Sequence, residues 1–341
     1  MPESTDSAGV SVNEWKQRLK PFNNSKPWSA VTELVLTLGL FFLSWCLTLF
    51  ALNQMLWLWG PLVLVSGCLL LRVFIIQHDC GHGSFFVKGK TNNRVGRALG
   101  VLTLTPYAYW RYMHSAHHAG SGCLDKRGLG DIDTFTVEEY YQLSSFQRLL
   151  YRAYRHPIVM FGIGPAYMFI FKHRYPAGMK KLESRLVSSV HYTNLFIAVL
   201  VLAMVLFAGW QALLFVHLPI ILIAGTIGVW LFYVQHQFDH TEWDWKDDWE
   251  HDHAALHGSS YYDLPAPLMW LTGYIGIHHV HHLSTRIPFY QLKKALAANP
   301  ELKKSGRLTL LQSLQCTRLT LWDSESRRLI SFREARNLEP A

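Results

Sequence analysis

The fold is decided by the stretch MLWLWGPLVLVSGCLLLRVFIIQHDCGH, residues 55–82. It is apolar from Met55 to Ile76 and then ends in His78 and His82. A helix needs about 20 largely apolar residues to cross a bilayer. Residues four apart lie on the same face of a helix, so the two imidazoles are neighbours. This stretch therefore predicts a membrane span that carries part of a metal site out of the membrane.

Three other stretches are long and apolar enough to span a bilayer: Leu34–Leu52, Leu186–Trp210 and Ala212–Val234. Only Asn53 and Gln54 separate the first two spans, and only Gln211 separates the last two. Each pair is therefore predicted to form a tight transmembrane hairpin. The one charge inside the four spans is Arg72, close to the end of the second, and we expect its long side chain to snorkel to the interface.

The distribution of basic residues orients the hairpins. Neither short connection contains Lys or Arg, and apart from Arg72 all basic residues lie in the N-terminal arm, in the middle segment His78–Arg185 and in the part of the chain that follows the fourth span. The positive-inside rule places those three segments in the cytoplasm. The net charge of +8 is explained in this way and needs no nucleic-acid partner.

Two more histidine clusters follow, both with the spacing H-x2-H-H. They consist of His114, His117 and His118, and of His278, His281 and His282. Neutral imidazole is a good ligand for Fe, Zn, Cu and Ni. Eight clustered histidines are too many for a single catalytic zinc, which uses three protein ligands. The sequence therefore predicts two metal ions in an all-nitrogen environment, on the cytoplasmic side.

The predicted fold class is an all-α integral membrane protein, in which four transmembrane helices form two hairpins under a cytosolic helical cap that carries a histidine-rich di-metal site. We expect a polar N-terminal arm over residues 1–30, the membrane domain over 31–292 and a cytosolic tail over 293–341. The tail has the pattern of a basic amphipathic helix. Two apolar stretches, Val95–Tyr109 and Pro157–Phe171, are too short to span and predict interfacial or re-entrant helices.

The predicted metals lie at the depth of the lipid headgroups, because the first cluster continues the second span. Such a site suits a substrate drawn sideways from the bilayer. A redox metal pair, oxygen and an apolar substrate together indicate attack on an unactivated C–H bond. We find no flavin, nicotinamide or haem motif, so electrons are expected to come from a separate donor.

The clusters His78-Asp-Cys-Gly-His82, His114-Ser-Ala-His117-His118 and His278-His-Val-His281-His282 resemble the three histidine boxes of the membrane fatty acid desaturases. The stretches Thr105-Pro-Tyr-Ala-Tyr-Trp110, Gly130-Asp-Ile-Asp-Thr134 and Gly258-Ser-Ser-Tyr-Tyr-Asp-Leu-Pro265 also resemble bacterial members. The first box is most similar to the branch that includes Δ12, ω-3 and Δ5 enzymes.

This resemblance implies two iron ions, O2 as co-substrate, a fatty acyl lipid as substrate and insertion of a cis double bond. It implies an electron donor of the ferredoxin or cytochrome b5 type, and a location in a bacterial inner membrane. Two alternatives remain open. A hydroxylase or monooxygenase has the same boxes, and His78-Asp-x-x-His82 also resembles the zinc motif of intramembrane hydrolases.

Eight box histidines leave one of two metals short of a nitrogen. The candidates for a ninth ligand are His236, His240, His253 and His257. We predict His236, because it ends the fourth span as His78 ends the second, and the resemblance also points to a histidine there. His240 is its natural substitute or neighbour. Further residues that we expect to support or orient the ligands are Asp131, Asp133, His257 and His279.

Overall fold

The computed structural model describes residues 10–128, 130–176 and 184–338. The α-helices are, in chain order, α1 (Val12–Leu19), α2 (Pro27–Gln54), α3 (Leu56–His82), α4 (Gly89–Leu102), α5 (Tyr107–Gly120), α6 (Val137–Gln142), α7 (Ser145–Arg155), α8 (Gly164–Ala166), α9 (Ser184–Ala208), α10 (Trp210–Ala212), α11 (Leu218–His236), α12 (His251–His257), α13 (Ala266–Leu271), α14 (His278–Leu283), α15 (Phe289–Ala298), α16 (Leu310–Ser313) and α17 (Phe332–Ala335).

Three π-helical turns, Val159–Ile163, Tyr167–Phe171 and Leu213–His217, adjoin α8 and α11. The strands are β1 (Tyr261–Asp263), β2 (Arg307–Thr309), β3 (Leu321–Asp323) and β4 (Arg328–Ile330). Strands β1 and β2 pair in parallel, and β3 and β4 pair antiparallel. The short 3-10 helices are Lys20–Phe22, Leu124–Lys126, Lys172–Arg174, Pro300–Lys304, Leu314–Arg318 and Arg336–Leu338.

Four helical stretches are long and apolar enough to cross a membrane, which confirms the prediction of four spans. They are Pro27–Gln54, Leu56–His82, Ser184–Ala208 and Trp210–His236. Three of them extend a few residues beyond the apolar stretch that predicted them, whereas Ser184–Ala208 begins two residues before the predicted stretch Leu186–Trp210 and ends two residues before its end. The hairpin turns fall at Met55 and Gly209, one residue each, whereas the predicted connections Asn53–Gln54 and Gln211 lie inside α2 and α10. The spans of the first pair, α2 and α3, pack against each other, and α9 packs mainly on α4, α5 and α10. The protein is therefore an integral membrane protein with two transmembrane hairpins.

Small residues bring the spans close together, as is usual for helix pairs in membranes. In the first hairpin the buried hydroxyls of Thr48 and Ser66 lie 3.2 Å apart. Between the hairpins, a Cβ on Gly67 of α3 would lie 2.5 Å from Ile223 Cγ2 of α11. Helices α3 and α11 can therefore pack closely at the centre, and both end in a histidine that belongs to the site.

The prediction that Arg72 snorkels is wrong. Its side chain is fully buried, and Nη2 donates a 2.6 Å hydrogen bond to Glu33 Oε2 on α2. Its Nε donates to Thr37 Oγ1, and another nitrogen donates to the Trp270 carbonyl oxygen of the cap. A charge this deep is tolerated because it is paired and hydrogen-bonded. Arg72 thus connects the first hairpin to the segment that precedes the third histidine box.

The stretch Pro157–Phe171 packs alongside α11 and does not span the membrane. The ring of Phe161 lies 5.0 Å from that of Trp230, and Phe169 packs against Gly225. Thr226 Oγ1 donates a 2.7 Å hydrogen bond to the Phe161 carbonyl oxygen. No other helix among the described residues meets the length and hydropathy of a span. The predicted short helix is present as α8 with its two flanking π-helical turns, and its interfacial or re-entrant position stays a prediction.

The prediction that the tail is an amphipathic helix is wrong. Helix α15 ends at Ala298, and the tail continues as short helices and strands. By the cap we mean all described residues outside the four spans, and these tail elements pack on the rest of it. Leu321 and Ile330 are buried against Tyr140 and Tyr151 of the middle segment. Adjacent strand residues point to opposite faces, and Leu321 and Trp322 of β3 are both buried, in two different clusters, so helical periodicity does not describe this part of the tail.

Candidate metal centre

Nine histidines converge in two groups on the cap side of the spans. The first group consists of His78, His82, His114, His118 and His281, and the second of His117, His236, His278 and His282. Within each group one ring nitrogen from every residue lies within 4.8 Å of all the others. The structure thus brings together all eight box histidines and the predicted ninth, His236.

Helical geometry explains how three boxes supply two groups. Residues four apart on a helix are rotated by about 40°, whereas residues three apart are rotated by about 60° in the opposite sense. In α5, His114 and His118 are four apart and share the first group, while His117 faces the second. In α14 the pattern is reversed, because His278 and His282 share the second group.

The end of α3 supplies His78 and His82 to the first group only. The second group therefore has three box histidines, and His236 at the end of α11 is its fourth. Ser260 fixes this fourth residue beside the third box, because its backbone N–H donates to the Gln235 carbonyl oxygen at 3.0 Å and its own carbonyl oxygen accepts from the His278 N–H at 3.2 Å.

Ring nitrogens in the first group lie so close together that hydrogen bonds between them cannot satisfy all of them. His82 Nε2 lies 3.3 Å from His78 Nε2 and 3.0 Å from His114 Nε2. A neutral imidazole nitrogen carries either one hydrogen or one lone pair, so it cannot bond well to both neighbours. His118 Nε2 repeats the pattern, at 3.1 Å from His114 and 3.3 Å from His281. A shared cation satisfies all of these lone pairs together.

The second group has the same crowding in a more buried setting. His278 Nε2 lies 3.0 Å from His236 Nε2 and 3.1 Å from His282 Nε2. His117 Nε2 is buried and has no hydrogen-bond partner. All four residues of this group are buried. The donor set of both groups therefore fits a metal ion that accepts nitrogen ligands.

Burial keeps five of the imidazoles outside the spans neutral. In the first group, burial and the neighbouring imidazoles hold the pKa of His114, His118 and His281 well below the ordinary histidine range. The same causes lower the pKa of His278 and His282 in the second group. A neutral imidazole is the form that binds a metal. These residues are thus ready to coordinate at neutral pH.

Hydrogen bonds to the other ring nitrogen orient three of the nine histidines. His78 Nδ1 donates to Asp79 Oδ1 at 3.0 Å, and His117 Nδ1 donates to the Asp131 carboxylate. His236 Nδ1 lies 3.3 Å from the Gly258 carbonyl oxygen. Such partners fix the ring and increase its basicity as a ligand. The predicted orienting role of Asp131 is therefore consistent with its position.

Asp79 is the residue that the sequence analysis missed. It is buried, and its second oxygen accepts a 2.6 Å hydrogen bond from the backbone N–H of Phe289 on α15. The carboxylate thus connects the end of α3 to the tail side of the third box. The signal was available in the sequence, because an acid beside a box histidine at the end of an apolar span needs a partner once it is buried.

Other candidates lie away from both groups. His240 is almost fully exposed and faces Asp239, and the backbone N–H of Asp133 donates to Tyr154. His257 stacks on His253, and His253 Nε2 is 2.7 Å from Glu242. His279 is buried, but its Nε2 donates to the Leu302 carbonyl oxygen at 2.9 Å. Cys80, inside the first box, is buried and belongs to neither group.

Aromatic rings cover the groups on the side that faces the spans. Trp110 stacks on His114 with centroids 4.7 Å apart, and Phe74 meets Trp110 edge to face. On the second group, the Phe232 centroid is 5.0 Å from that of His117. Phe74 and Phe232 each precede a histidine by four residues, so they lie about 6 Å deeper along α3 and α11. Apolar aromatic rings thus lie against both groups on the side of the spans.

Comparisons with known proteins agree with this geometry. Residues 55–310 match the family model described as fatty acid desaturase. The chain is 41% identical over 322 residues to a fatty acid desaturase of Bacillus subtilis (strain 168), which covers 94% of this chain and 91% of that protein.

More distant relatives carry more specific names. An sn-1 oleoyl-lipid 12-desaturase of Synechocystis sp. (strain ATCC 27184 / PCC 6803 / Kazusa) is 27% identical, covering 80% of this chain and 75% of that protein. An sn-1 acyl-lipid omega-3 desaturase (ferredoxin) of the same organism is 30% identical, covering 78% of this chain and 75% of that protein.

Proposed function

Because this chain belongs to the fatty acid desaturase family, we propose that its nine converging histidines hold two iron ions that desaturate a fatty acyl chain with O2. Desaturation of fatty acids is the activity of the family, and the protein is an oxidoreductase. The observation that carries the proposal is the convergence of nine ring nitrogens in two adjacent groups. The proposed ligands are His78, His82, His114, His118 and His281 for one iron, and His117, His236, His278 and His282 for the other.

Iron is favoured over zinc by the size of the ligand set. A catalytic zinc is bound by three protein ligands, and the zinc-hydrolase alternative uses His78 and His82 with one or two more. That alternative leaves the whole second group without a function, although it is buried and lacks enough hydrogen-bond partners. Two redox-active metals account for both groups.

When bound, an iron pair would supply the redox chemistry by which the two hydrogen atoms lost from adjacent acyl carbons, together with two electrons and two protons from outside, reduce O2 to two molecules of water. The residues of the chain have the other tasks. Phe74, Trp110 and Phe232 form the apolar layer that receives the acyl chain and excludes water from the groups. Asp79 and Asp131 hold His78 and His117 in position, so the ligand geometry is fixed before substrate arrives.

The acyl lipid is the substrate class that the family implies. Two relatives are named for acyl lipids, and one of those names also specifies ferredoxin. We therefore propose a membrane acyl lipid as substrate and a separate one-electron carrier as donor, a ferredoxin or a protein of the cytochrome b5 type. A hydroxylase on the same metal pair would differ in its product, which is an alcohol in place of an alkene.

Orientation follows from charge. The side of the membrane that holds both histidine groups also holds the basic arm, middle segment and tail, so the positive-inside rule favours the cytoplasm for all of them. We propose the cytoplasmic membrane of a bacterium as the location. Asp133, His240, His257 and His279 are proposed to have at most supporting roles, because none of them belongs to either group.

One experiment tests the function as a whole. The chain is expressed in a host that lacks desaturases, together with a ferredoxin and its reductase, and the fatty acids are profiled by mass spectrometry. New cis-unsaturated chains, with two irons per purified chain, are the expected result. Hydroxylated chains would support the monooxygenase alternative, and one zinc without iron would overturn the proposal.

A further inference from the structure

One part of the cap has an unusual charge pattern. Between Asp79 and Asp125 the chain contains no acidic residue and five basic ones: Lys88, Lys90, Arg94, Arg97 and Arg111. This stretch includes His82 of the first histidine box, the whole second box and all of α4. The local excess of positive charge therefore lies beside the metal centre, and no carboxylate within the stretch compensates it.

Helix α4 sorts these charges onto one face. Lys90, Arg94 and Arg97 are spaced by four and three residues, so they share a face. The opposite face carries Asn92 and Leu99, both buried. Lys88 and the three residues of the stripe are exposed, and none of the four forms an ion pair with another described residue. By the basic stripe we mean Lys90, Arg94 and Arg97.

Contacts with α3 place the basic stripe at the depth of the metal centre. Thr103, which caps the C-terminus of α4, donates from Oγ1 to Gln77 Oε1 at 2.5 Å, one residue before His78. The Tyr107 ring packs on Gly96, where a Cβ would lie 2.2 Å from Tyr107 Cε2. The Tyr107 hydroxyl donates to the Cys80 carbonyl oxygen at 2.7 Å, inside the first box. Helix α4 is thus fixed against the membrane exit of α3.

We propose that the basic stripe binds the headgroup phosphate of an anionic phospholipid, so that the acyl carrier is a membrane phospholipid. This inference rests on the proposed function and names the carrier for it. Basic residues beside a span attract anionic headgroups, and an exposed apolar neighbour favours the interface. Val87, 67% exposed just before α4, is such a neighbour. A headgroup held here leaves its acyl chain free to enter beside Phe74 and Trp110.

An acidic electron carrier is the competing occupant. The depth of the stripe favours the lipid, because α4 packs on the last turns of the membrane span α3. Arg111 connects the stripe with the site, since its Nη1 donates to Asn93 Oδ1 on α4 at 3.1 Å and it precedes His114 by one turn. Positive charge thus continues from α4 towards the first group.

The test removes the three charges and keeps the helix. The variant K90Q/R94Q/R97Q uses glutamine, a good helix former. The matched control K303Q/K304Q/R318Q removes three exposed basic residues from the tail. Both proteins are placed in phosphatidylcholine nanodiscs that contain a small fraction of spin-labelled phosphatidylglycerol. The motionally restricted fraction of label is measured by electron paramagnetic resonance, which requires neither iron nor turnover.

We expect the native protein and the tail control to select phosphatidylglycerol over phosphatidylcholine, and the stripe variant to lose about tenfold in this selectivity. In turnover, the KM for an acyl phosphatidylglycerol should rise in the stripe variant with kcat unchanged, while the KM for a phosphate-free galactolipid stays the same. Selectivity that is equal in all three proteins overturns the inference. A change in the KM for the electron carrier alone assigns the stripe to that protein instead.

A failure of lipid selectivity leaves the desaturase proposal intact, because the resonance measurement does not depend on activity. A failure of desaturation leaves the selectivity result intact for the same reason. If a soluble acyl thioester is the only substrate turned over and its KM rises in the stripe variant, the phosphate belongs to a soluble carrier, and the phospholipid assignment is wrong.

Discussion

The two histidine groups differ in number and in burial. The first has five histidines, of which His82, His114 and His118 are partly exposed, whereas the second has four, all buried. Helix α11 supplies one histidine to the second group and none to the first. The first group is therefore the more accessible of the two and has one nitrogen more than its neighbour. The second group is enclosed and has no spare ligand.

The largest expected effect follows from the number of histidines in the second group, which has four where the first has five. The variant His236→Ala leaves three histidines there, and we expect iron to fall from two to about one per chain and desaturation to fall to background. Iron is measured by mass spectrometry of metals on detergent-purified protein, and activity by fatty acid profiling. Insertion in the membrane should be unchanged, since the apolar spans determine it.

Two exposed or peripheral histidines provide the control for that experiment. His240→Ala and His257→Ala should keep both irons and most of the activity, because neither residue belongs to a group. If His257 proved essential for iron while His236 proved dispensable, the ninth ligand would lie in the segment that follows α11, and the comparison of the two groups would fail.

Loss of a ligand from the larger group should be less severe for metal content. The variant His82→Ala leaves four histidines in the first group. We expect activity to be lost, because the ligand field of a redox pair changes, while more iron is retained than in His236→Ala. The two variants are compared in the same preparation by metal analysis. Equal iron loss in both would show that the extra nitrogen of the first group has no role in binding.

Much of this site follows from spacing alone. The i,i+4 pairs His78/His82, His114/His118 and His278/His282 each stay within one group, and this is a property of helix geometry. The clusters H-x3-H and H-x2-H-H therefore predict a two-metal centre without a structure. The spans were also predictable, because each needs only a long apolar stretch that ends near a polar residue.

Other features depend on tertiary contacts that no local pattern contains. Arg72 looks like a snorkelling residue in sequence, but Glu33, which precedes the first apolar stretch, lies opposite it once α2 and α3 pack. The tail was expected to be helical, yet β2 pairs with β1 across more than forty residues of sequence. The division of the second and third boxes between the two groups likewise depends on how α5 and α14 face one another.

A smaller effect is expected from the residue that orients His117. The variant Asp131→Asn keeps an oxygen acceptor but removes the negative charge, and we expect a loss of roughly 10–100-fold in iron affinity of the second group or in activity. The measurement is iron retention against a chelator of graded concentration. Asp133→Asn is the matched control, and no change is expected there. Equal effects of both substitutions would indicate a general charge effect in this loop.

The smallest effect concerns His253, a partly buried histidine outside both groups. Its pKa is raised, whereas the pKa of His281 in the first group is lowered. The hydrogen bond from His253 to Glu242 raises the pKa of His253 above its ordinary value, whereas burial lowers the pKa of His281 in the first group. A raised pKa stabilises the folded state below about pH 6.5, and this contribution is lost as the pH rises through the raised value.

We expect His253→Gln to lower the midpoint of thermal unfolding at pH 6 and to have little effect at pH 9. The size should stay below about 1 kcal/mol, since the pair is partly exposed to solvent. Thermal unfolding followed by tryptophan fluorescence at the two pH values checks this, with His240→Gln as the exposed control. A larger effect at pH 9 than at pH 6 would mean that His253 is neutral, like the histidines of the two groups.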